Sequence, residues 1–151
     1  MAKRGYNVVI CSRNQNDTGK TVEEIKSAAT IAANVSTGKP TSQVMGLKCD
    51  VRNTSDVNSL VKATMERFGR LDVLINNAGI LLYKNLVDVS VEEWTKTINV
   101  NLTGTFLFCK TVLPYMIKSN SGVIINVISG GGKMGFPNLS AYCASKFGVM
   151  G

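Results

Sequence analysis

The sequence predicts an α/β fold built on a doubly wound parallel sheet. Short runs rich in Val, Ile and Leu alternate with longer amphipathic segments, which is the pattern of strand and helix units in such a sheet. The runs lack polar alternation, as strands covered by helices on both faces do. The 151 residues, 44% hydrophobic and 18% charged, are enough for one domain with a sizeable core. The predicted strands are Asn7–Cys11, Gln43–Lys48, Leu71–Ile75 and Val123–Val127.

Capping residues mark where two of the intervening helices begin. Thr21 with Glu24, and Ser90 with Glu93, each fit a capping box, in which the two side chains satisfy backbone donors at a helix start. These pairs predict one helix after the first strand and another after the third.

Glycine and proline mark other helix limits. A third helix is predicted to begin at Thr54 or Ser55 and to end at Gly69, where glycine can adopt a left-handed turn. A long helix from about Val91 to Lys118 contains Pro114. Because proline lacks the N–H of the helical ladder, we expect a kink or an early end there.

Composition excludes several classes of protein. The chain has no His, and its four cysteines lack metal-ligand spacing, so we expect neither a zinc site nor a disulfide. The net charge of +7 comes from dispersed basic residues without an aromatic-rich stripe, which argues against nucleic acid and fits a basic surface that favours a phosphorylated cofactor. No segment approaches the roughly 18 apolar residues of a membrane span or forms a signal-peptide core, so we expect a cytoplasmic protein. The cysteines are Cys11, Cys49, Cys109 and Cys143.

Tyr142 and Lys146 lie four residues apart on the last predicted helix, which begins near Leu139, and therefore share one helical face. A protonated amine there favours the phenolate and equips the tyrosine for general acid–base chemistry. Taken alone, the pair also fits a half-buried tyrosine beside a surface lysine. Ser129 ends an apolar strand and begins a glycine-rich loop, so its hydroxyl can point into the crevice where doubly wound folds bind ligands.

A second motif follows the predicted strand Leu71–Ile75. The asparagines Asn76 and Asn77 can hold neighbouring strands together, or can form an ordinary turn. Ala78 and Gly79 are small enough to let a flat cofactor approach the backbone. We therefore count Asn77, Ala78 and Gly79 among the candidate cofactor-binding residues.

In order and spacing, these motifs resemble the classical short-chain dehydrogenase/reductase family. The resemblance implies a Rossmann-like domain over residues 1–151, with 3-oxoacyl-[acyl-carrier-protein] reductases among its members. It runs from about Gly5 to the end of the chain. The matching elements are Asn76-Asn77-Ala78-Gly79, Asn101 within Asn99-Val100-Asn101-Leu102-Thr103-Gly104, Ser129, and Tyr142-Cys143-Ala144-Ser145-Lys146.

The resemblance also implies an oxidoreductase mechanism with Asn101, Ser129, Tyr142 and Lys146 as its catalytic residues. Tyr142 would give a proton to a carbonyl oxygen or take one from an alcohol, and Ser129 would orient and polarise that oxygen. Lys146 would hold the ribose hydroxyls of the nicotinamide, and Asn101 would hold a water that links Lys146 to solvent. Without these neighbours, Asn101 also fits a mid-helix Asn that only disturbs the ladder.

Residues near the ends of the first two strands bear on the identity of the cofactor. An acidic residue after the first strand would bind ribose hydroxyls, whereas Arg13 suits a 2′-phosphate and favours NADP(H) over NAD(H). A solvent-facing arginine is the alternative. Asp50 and Val51 resemble the family segment that lies against adenine, and a turn before a helix is the alternative for them.

Gly130-Gly131-Gly132-Lys133-Met134-Gly135 satisfies G-x-G-x-x-G, yet we do not interpret it as the dinucleotide fingerprint. Pro137 interrupts the loop before the next helix, and no strand ending in Asp or Glu can follow. The resemblance places this loop beside Ser129 in the substrate pocket. Lys133 is then either an anion contact or a solvated loop lysine.

The predicted fold is incomplete at both ends. No strand with a glycine-rich phosphate turn precedes Asn7, and Gly151 falls inside the last predicted helix. The leading hypothesis is an enzyme that uses NADP(H) on a small-molecule carbonyl or alcohol, with no nucleic-acid, membrane or metal partner. The alternative is a non-catalytic binding or interaction module.

The long helix around Asn101 carries more apolar surface than one sheet face requires. Burial against the sheet alone would explain part of it. The resemblance implies that this helix and the Tyr142 helix pair across a subunit interface, in a homodimer or homotetramer of the full-length protein. The apolar residues are Leu102, Phe106, Leu107, Phe108 and Val112.

Overall fold

The computed structural model describes residues 1–35 and 42–151, and their contacts group into two units. One unit comprises Met1–Asp50 and Lys62–Gly69, and the other Val51–Val61 and Arg70–Gly151. Helices alternate with strands, and the strand pairings of these residues are parallel, which confirms the predicted α/β class. Across the described ranges, no helix is long and apolar enough to cross a membrane. The elements are β1 (Val8–Ser12), α1 (Gln15–Val35), β2 (Val44–Lys48), α2 (Thr54–Phe68), β3 (Val73–Asn76), α3 (Val91–Ile98), α4 (Gly104–Ser119), β4 (Val123–Asn126) and α5 (Ser140–Met150).

In the first unit, β1 pairs in parallel with β2, with Val8 opposite Val44. Helix α1 packs on this pair at Gly46 of β2. A Cβ at Gly46 would lie 2.5 Å from Cγ2 of Val22 and 2.7 Å from Cγ2 of Thr18. Only glycine therefore lets α1 lie so close to the strand.

In the second unit, β3 pairs in parallel with β4, and the pairing ends with Asn76 opposite Asn126. Helix α4 contacts β3 and buries Phe108, Val112 and Met116, which recur every fourth residue and therefore form one face. Since parallel strands end at the same edge, the segments after β3 and β4 emerge side by side. These segments carry most of the candidate site.

Most predicted boundaries are confirmed. Each strand lies within two residues of its predicted limits. Helix α2 begins at Thr54 and is followed by Gly69 at φ 70°, as predicted. The capping box of α3 is complete: the backbone N–H of Glu93 donates to Oγ of Ser90 (3.2 Å), and the backbone N–H of Ser90 donates to Oε2 of Glu93 (2.9 Å).

The predicted helix start at Thr21 is wrong, because α1 begins six residues earlier at Gln15. Asn14 caps this helix instead. Its Oδ1 accepts from the N–H of Asn16 (3.0 Å), and its carbonyl accepts from the N–H of Thr18 (3.1 Å). An Asn is among the best N-cap residues, so the nearer polar side chain determined the start.

Of the two outcomes predicted at Pro114, the early end of the helix is wrong, while the kink stays a prediction. Helix α4 continues through Pro114 to Ser119, and a π turn at Asn99–Thr103 separates α3 from α4. Pro114 and Lys110 are both exposed, so water can satisfy the Lys110 carbonyl that loses its helical donor. Such π turns occur frequently at functional sites, and this one contains Asn101.

Candidate active site

Asn101 joins the loop after β3 to helix α5. Its Oδ1 accepts from the N–H of Ile80 (2.8 Å), and its Nδ2 donates to the Ile80 carbonyl and to Oγ of Ser145 (both 2.9 Å). Ser145 Oγ in turn donates to the carbonyl of Tyr142 (2.7 Å). Asn101 is 1% exposed and Ser145 is fully buried, so these bonds form without competition from water. The water-holding role of Asn101 stays a prediction.

Lys146 lies on the same face of α5 as Tyr142, as predicted, with Nζ 5.8 Å from the centroid of the phenol ring. The lysine is 5% exposed, and Nζ donates to the carbonyl of Val127, just after β4, at 2.7 Å. Burial of the ammonium lowers the pKa of Lys146. Helix α5 thus places a desolvated amine next to the phenol.

Gly79 brings the exposed backbone after β3 close to these side chains. A Cβ at Gly79 would lie 3.4 Å from Oδ1 of Asn101 and 3.6 Å from Nζ of Lys146. Asn77 and Ala78 precede it and are exposed as well. The structure therefore brings the Asn77–Gly79 segment together with Asn101 and Lys146.

The adjacent Asn76 holds the two strands of the second unit together. Its Nδ2 donates to Oδ1 of Asn126, directly opposite on β4, at 2.9 Å and contacts Sγ of Cys109 at 3.4 Å. The predicted strand-bridging role of the asparagines is therefore confirmed for Asn76.

Ser129 stands at the entry to the glycine turn after β4. Its backbone has φ 61° and ψ 176°, a region occupied almost only by glycine. The turn that follows packs against α5: a Cβ at Gly131 would lie 2.9 Å from Cε1 of Tyr142, and one at Gly132 would lie 3.0 Å from the carbonyl oxygen of Lys146. Gly131 and Gly132 therefore let this turn pack closely against α5.

Two of the remaining predicted residues, Arg13 and Asp50, lie in the first unit, just beyond the carboxyl ends of β1 and β2. The Arg13 side chain is exposed, while the turn around it is fixed by a 2.8 Å hydrogen bond between the hydroxyls of Ser12 and Thr18. Asp50 follows Cys49, whose N–H donates to the Ser12 carbonyl at 2.9 Å.

Val51, the last predicted residue, belongs to the second unit. It packs against the start of α4, where a Cβ at Gly104 would lie 2.9 Å from its Cγ2.

The sequence did not identify three groups of this site. Ser145, the backbone of Ile80 and the Val127 carbonyl all bond to predicted residues. Ser145 lies inside the Tyr142–Lys146 motif, which is a local signal, but its partner Asn101 is 44 residues away.

The whole chain, residues 1–151, matches the family described as short chain dehydrogenase. It is 40% identical over 151 residues to trans-4-hydroxycyclohexanecarboxylate dehydrogenase of Sinomonas cyclohexanicum, covering all of this chain and 56% of the relative. It is 42% identical over 109 residues to a 3-oxoacyl-[acyl-carrier-protein] reductase of a Synechocystis species, covering 72% of this chain and 44% of the relative.

Solved structures agree with the fold. A variant of actinorhodin polyketide ketoreductase with NADPH superposes with a TM-score of 0.87 at 34% identity, over 98% of this chain and 53% of that chain. A short chain dehydrogenase/reductase from Burkholderia phymatum in complex with NAD gives a TM-score of 0.84 at 27% identity, over 95% of this chain and 47% of that chain. The chain thus spans about half the length of the proteins it matches.

Proposed function

The chain belongs to the short-chain dehydrogenase family, and from that premise we propose that the protein is an oxidoreductase that transfers a hydride between NADP(H) and a carbonyl or alcohol substrate. One observation carries the proposal: Tyr142 and Lys146 share a face of α5 that Asn101 fixes through Ser145 and that packs on the turn after Ser129. Because the family consists of dehydrogenases and reductases, we interpret this arrangement as the site of hydride and proton transfer.

The described residues around Lys146 fit the nicotinamide end of such a cofactor. Among them, Nζ has one hydrogen-bond acceptor, the Val127 carbonyl, so two of its three N–H groups are available for ribose hydroxyls. Gly79 is exposed and lacks a Cβ, which would lie 3.6 Å from Nζ of Lys146. The space beside Nζ is therefore free of a Gly79 side chain. We therefore assign the nicotinamide ribose to Lys146 and Tyr142, with Asn77, Ala78 and Gly79 alongside.

In reduction, the Tyr142 phenol donates its proton to the substrate oxygen, and in oxidation the phenolate takes it back. A nicotinamide cofactor held beside Tyr142 and Lys146 would supply or accept the hydride. The ammonium of Lys146 stabilises the phenolate, and the Ser129 hydroxyl orients and polarises the substrate oxygen by a hydrogen bond. Asn101 fixes α5 and, as the resemblance implies, holds a water beside Lys146.

The preference for NADP(H) rests on Arg13. Its exposed guanidinium offers a planar set of donors suited to a 2′-phosphate. We assign Asp50 and Val51 to the adenine. Related structures are described with NADPH and with NAD, so the family uses nicotinamide cofactors of both kinds.

The substrate class, assembly and location are coarser proposals. The relatives are named as a trans-4-hydroxycyclohexanecarboxylate dehydrogenase and a 3-oxoacyl-[acyl-carrier-protein] reductase, which supports an alcohol or carbonyl substrate. A homodimer or homotetramer is supported by the exposed Phe106, Leu113 and Ile117 on α4. A cytoplasmic location stays a prediction of the sequence.

Replacement of Tyr142 tests the proposal. We expect Tyr142→Phe to lower ketone-dependent NADPH oxidation at least about a hundredfold, because the proton donor is lost. Tyr6→Phe is the matched control, since Tyr6 is exposed and lies in the first unit. Normal turnover in the Tyr142→Phe variant would refute the assignment of Tyr142.

Titration with NADPH and NADH separates the enzyme from the non-catalytic module. We expect Arg13→Ala to weaken NADPH binding about tenfold or more and to leave NADH binding unchanged, because it removes a charge-assisted phosphate contact. Lys20→Ala is the control, because Lys20 is also an exposed cation but lies on α1. Absence of binding by either nucleotide would favour the non-catalytic module.

A further inference from the structure

Two cysteines that are 38 residues apart in the sequence meet at the end of the β1–β2 pair. Cys11 of β1 lies opposite Leu47 of β2, and Cys49 follows two residues later. Because side chains alternate along a strand, Leu47 and Cys49 project from the same face as Cys11. The N–H of Cys49 donates to the carbonyl of Ser12 at 2.9 Å and continues the parallel ladder. The register therefore places the two thiols on neighbouring strands and on the same face, two residues apart along the strand direction.

The two thiols differ in exposure and in acidity. Cys11 is half-buried, whereas Cys49 is 1% exposed. The hydrogen bond from Cys49 lowers the pKa of Cys11 by more than burial raises it. A lower pKa increases the thiolate fraction, and the thiolate is the form that reacts with oxidants. Cys11 therefore has the properties of an attacking thiol, with Cys49 as a second thiol in contact with it.

We propose that Cys11 and Cys49 form an oxidation site at which hydrogen peroxide closes an intramolecular disulfide. The Cys11 thiolate attacks one peroxide oxygen, the O–O bond breaks, and the released hydroxide takes up a proton to become water, leaving a sulfenic acid. The sulfur of Cys49 then attacks the sulfur of Cys11, the S–O bond breaks, and the second oxygen leaves as water with the thiol proton. Two thiols are oxidised, and one peroxide is reduced to two waters.

The location of the pair allows the disulfide to form and gives it a consequence. Cys11 and Cys49 lie diagonally across the neighbouring strands on one face, so closing the disulfide requires their sulfurs to approach to the bonding distance of about 2.05 Å. Arg13 lies two residues beyond Cys11, and Asp50 directly follows Cys49. We expect the disulfide to draw these strand ends together and to weaken NADPH binding. This last step rests on the proposed function.

Peptide mapping after peroxide treatment tests the site. The purified protein is treated with an equimolar amount of hydrogen peroxide, alkylated and digested with trypsin. We expect the tryptic peptides Gly5–Arg13 and Cys49–Arg52 to appear joined, with a mass lower by two hydrogens than their sum, and to separate on reduction. The proposal is overturned if both peptides are recovered separately alkylated, or if the new link involves Cys109 or Cys143.

Two variants sharpen the outcome. Cys49→Ala should oxidise more slowly, because the group that lowers the pKa of Cys11 is lost, and should stop at a sulfenic acid on Cys11, which dimedone traps. Cys109→Ser should still form the link, because Cys109 is a half-buried thiol outside the pair. If Cys49→Ala does not fold, peptide mapping of the unaltered protein still shows whether Cys11 and Cys49 become linked.

NADPH binding is measured on the reduced and oxidised protein separately. A disulfide in a protein that never binds NADPH refutes the proposed function and leaves the oxidation site standing. NADPH binding by a protein that forms no Cys11–Cys49 disulfide refutes the oxidation site and leaves the proposed function standing.

Discussion

The side chain of Asn101 bonds to both backbone polar groups of Ile80, accepting from its N–H at 2.8 Å and donating to its carbonyl at 2.9 Å. This pairing imitates the backbone bonds of a strand and fixes the loop after β3, although no strand follows β3 there. The same Asn101 amide also bonds to Ser145. One buried side chain therefore fixes both the loop at Gly79 and helix α5.

We expect Asn101→Ala to lower the free energy of unfolding by about 2 to 4 kcal/mol, since it leaves buried polar groups of Ile80 and Ser145 without their partner. Asn99→Ala is the control in the same π turn, because its one described side-chain bond is a 3.4 Å contact with Thr103. Urea unfolding monitored by circular dichroism measures the difference. Equal losses in the two variants would contradict the bridging role.

Backbone strain at Ser129 yields a second prediction. At φ 61° and ψ 176° a residue with a Cβ is strained, and glycine is not. We expect Ser129→Gly to be more stable than Ser129→Ala by about 1 kcal/mol, with both variants losing turnover because the hydroxyl is gone. Thermal melts compare the two. A Ser129→Ala variant as stable as Ser129→Gly would show that the strain is absent.

Packing beneath Tyr142 yields a third prediction. A Cβ at Gly131 would lie 2.9 Å from the Tyr142 ring, whereas a Cβ at Gly135 has nothing within 4 Å. We expect Gly131→Ala to displace the phenol, to lower kcat more than it raises KM, and to cost about 1 to 3 kcal/mol of stability. Gly135→Ala should match the unaltered protein in both respects. Steady-state kinetics and urea unfolding provide the two readouts.

The pKa of Lys146 gives a prediction for pH. Burial lowers it in the folded protein, so between the folded pKa and the ordinary lysine pKa the unfolded chain binds more protons. The cost of burying the ammonium is therefore fully present below the folded pKa and shrinks as pH rises through it. Relative to Lys146→Met, the unaltered protein should gain stability between about pH 7 and about pH 10.

Urea unfolding of both proteins at the two pH values measures this gain. Lys110→Met, which replaces an exposed lysine, should show no such change. A difference that stays constant with pH would mean that Lys146 is not desolvated.

Features that depend on residues close together in the sequence were predicted well. The four-residue spacing of Tyr142 and Lys146 is a property of any helix, and the capping box of Ser90 and Glu93 formed as expected. Two predicted helix limits were wrong, the start of α1 and the early end at Pro114. Asn14, and not Thr21, caps the start of α1. The helix continues through Pro114 because that residue lies on the exposed face of α4, and the sequence alone does not show which face is exposed.

The sequence by itself determined the parallel α/β class, the family and the order of the candidate site motifs, because hydrophobic period, helix capping and motif spacing depend on adjacent residues. The tertiary structure alone decided that Asn101 holds Ile80 and Ser145, that Lys146 bonds to Val127 and that Cys49 meets Cys11. Each of these contacts joins residues that only strand register and helix packing bring together, and no local pattern in the chain encodes that pairing.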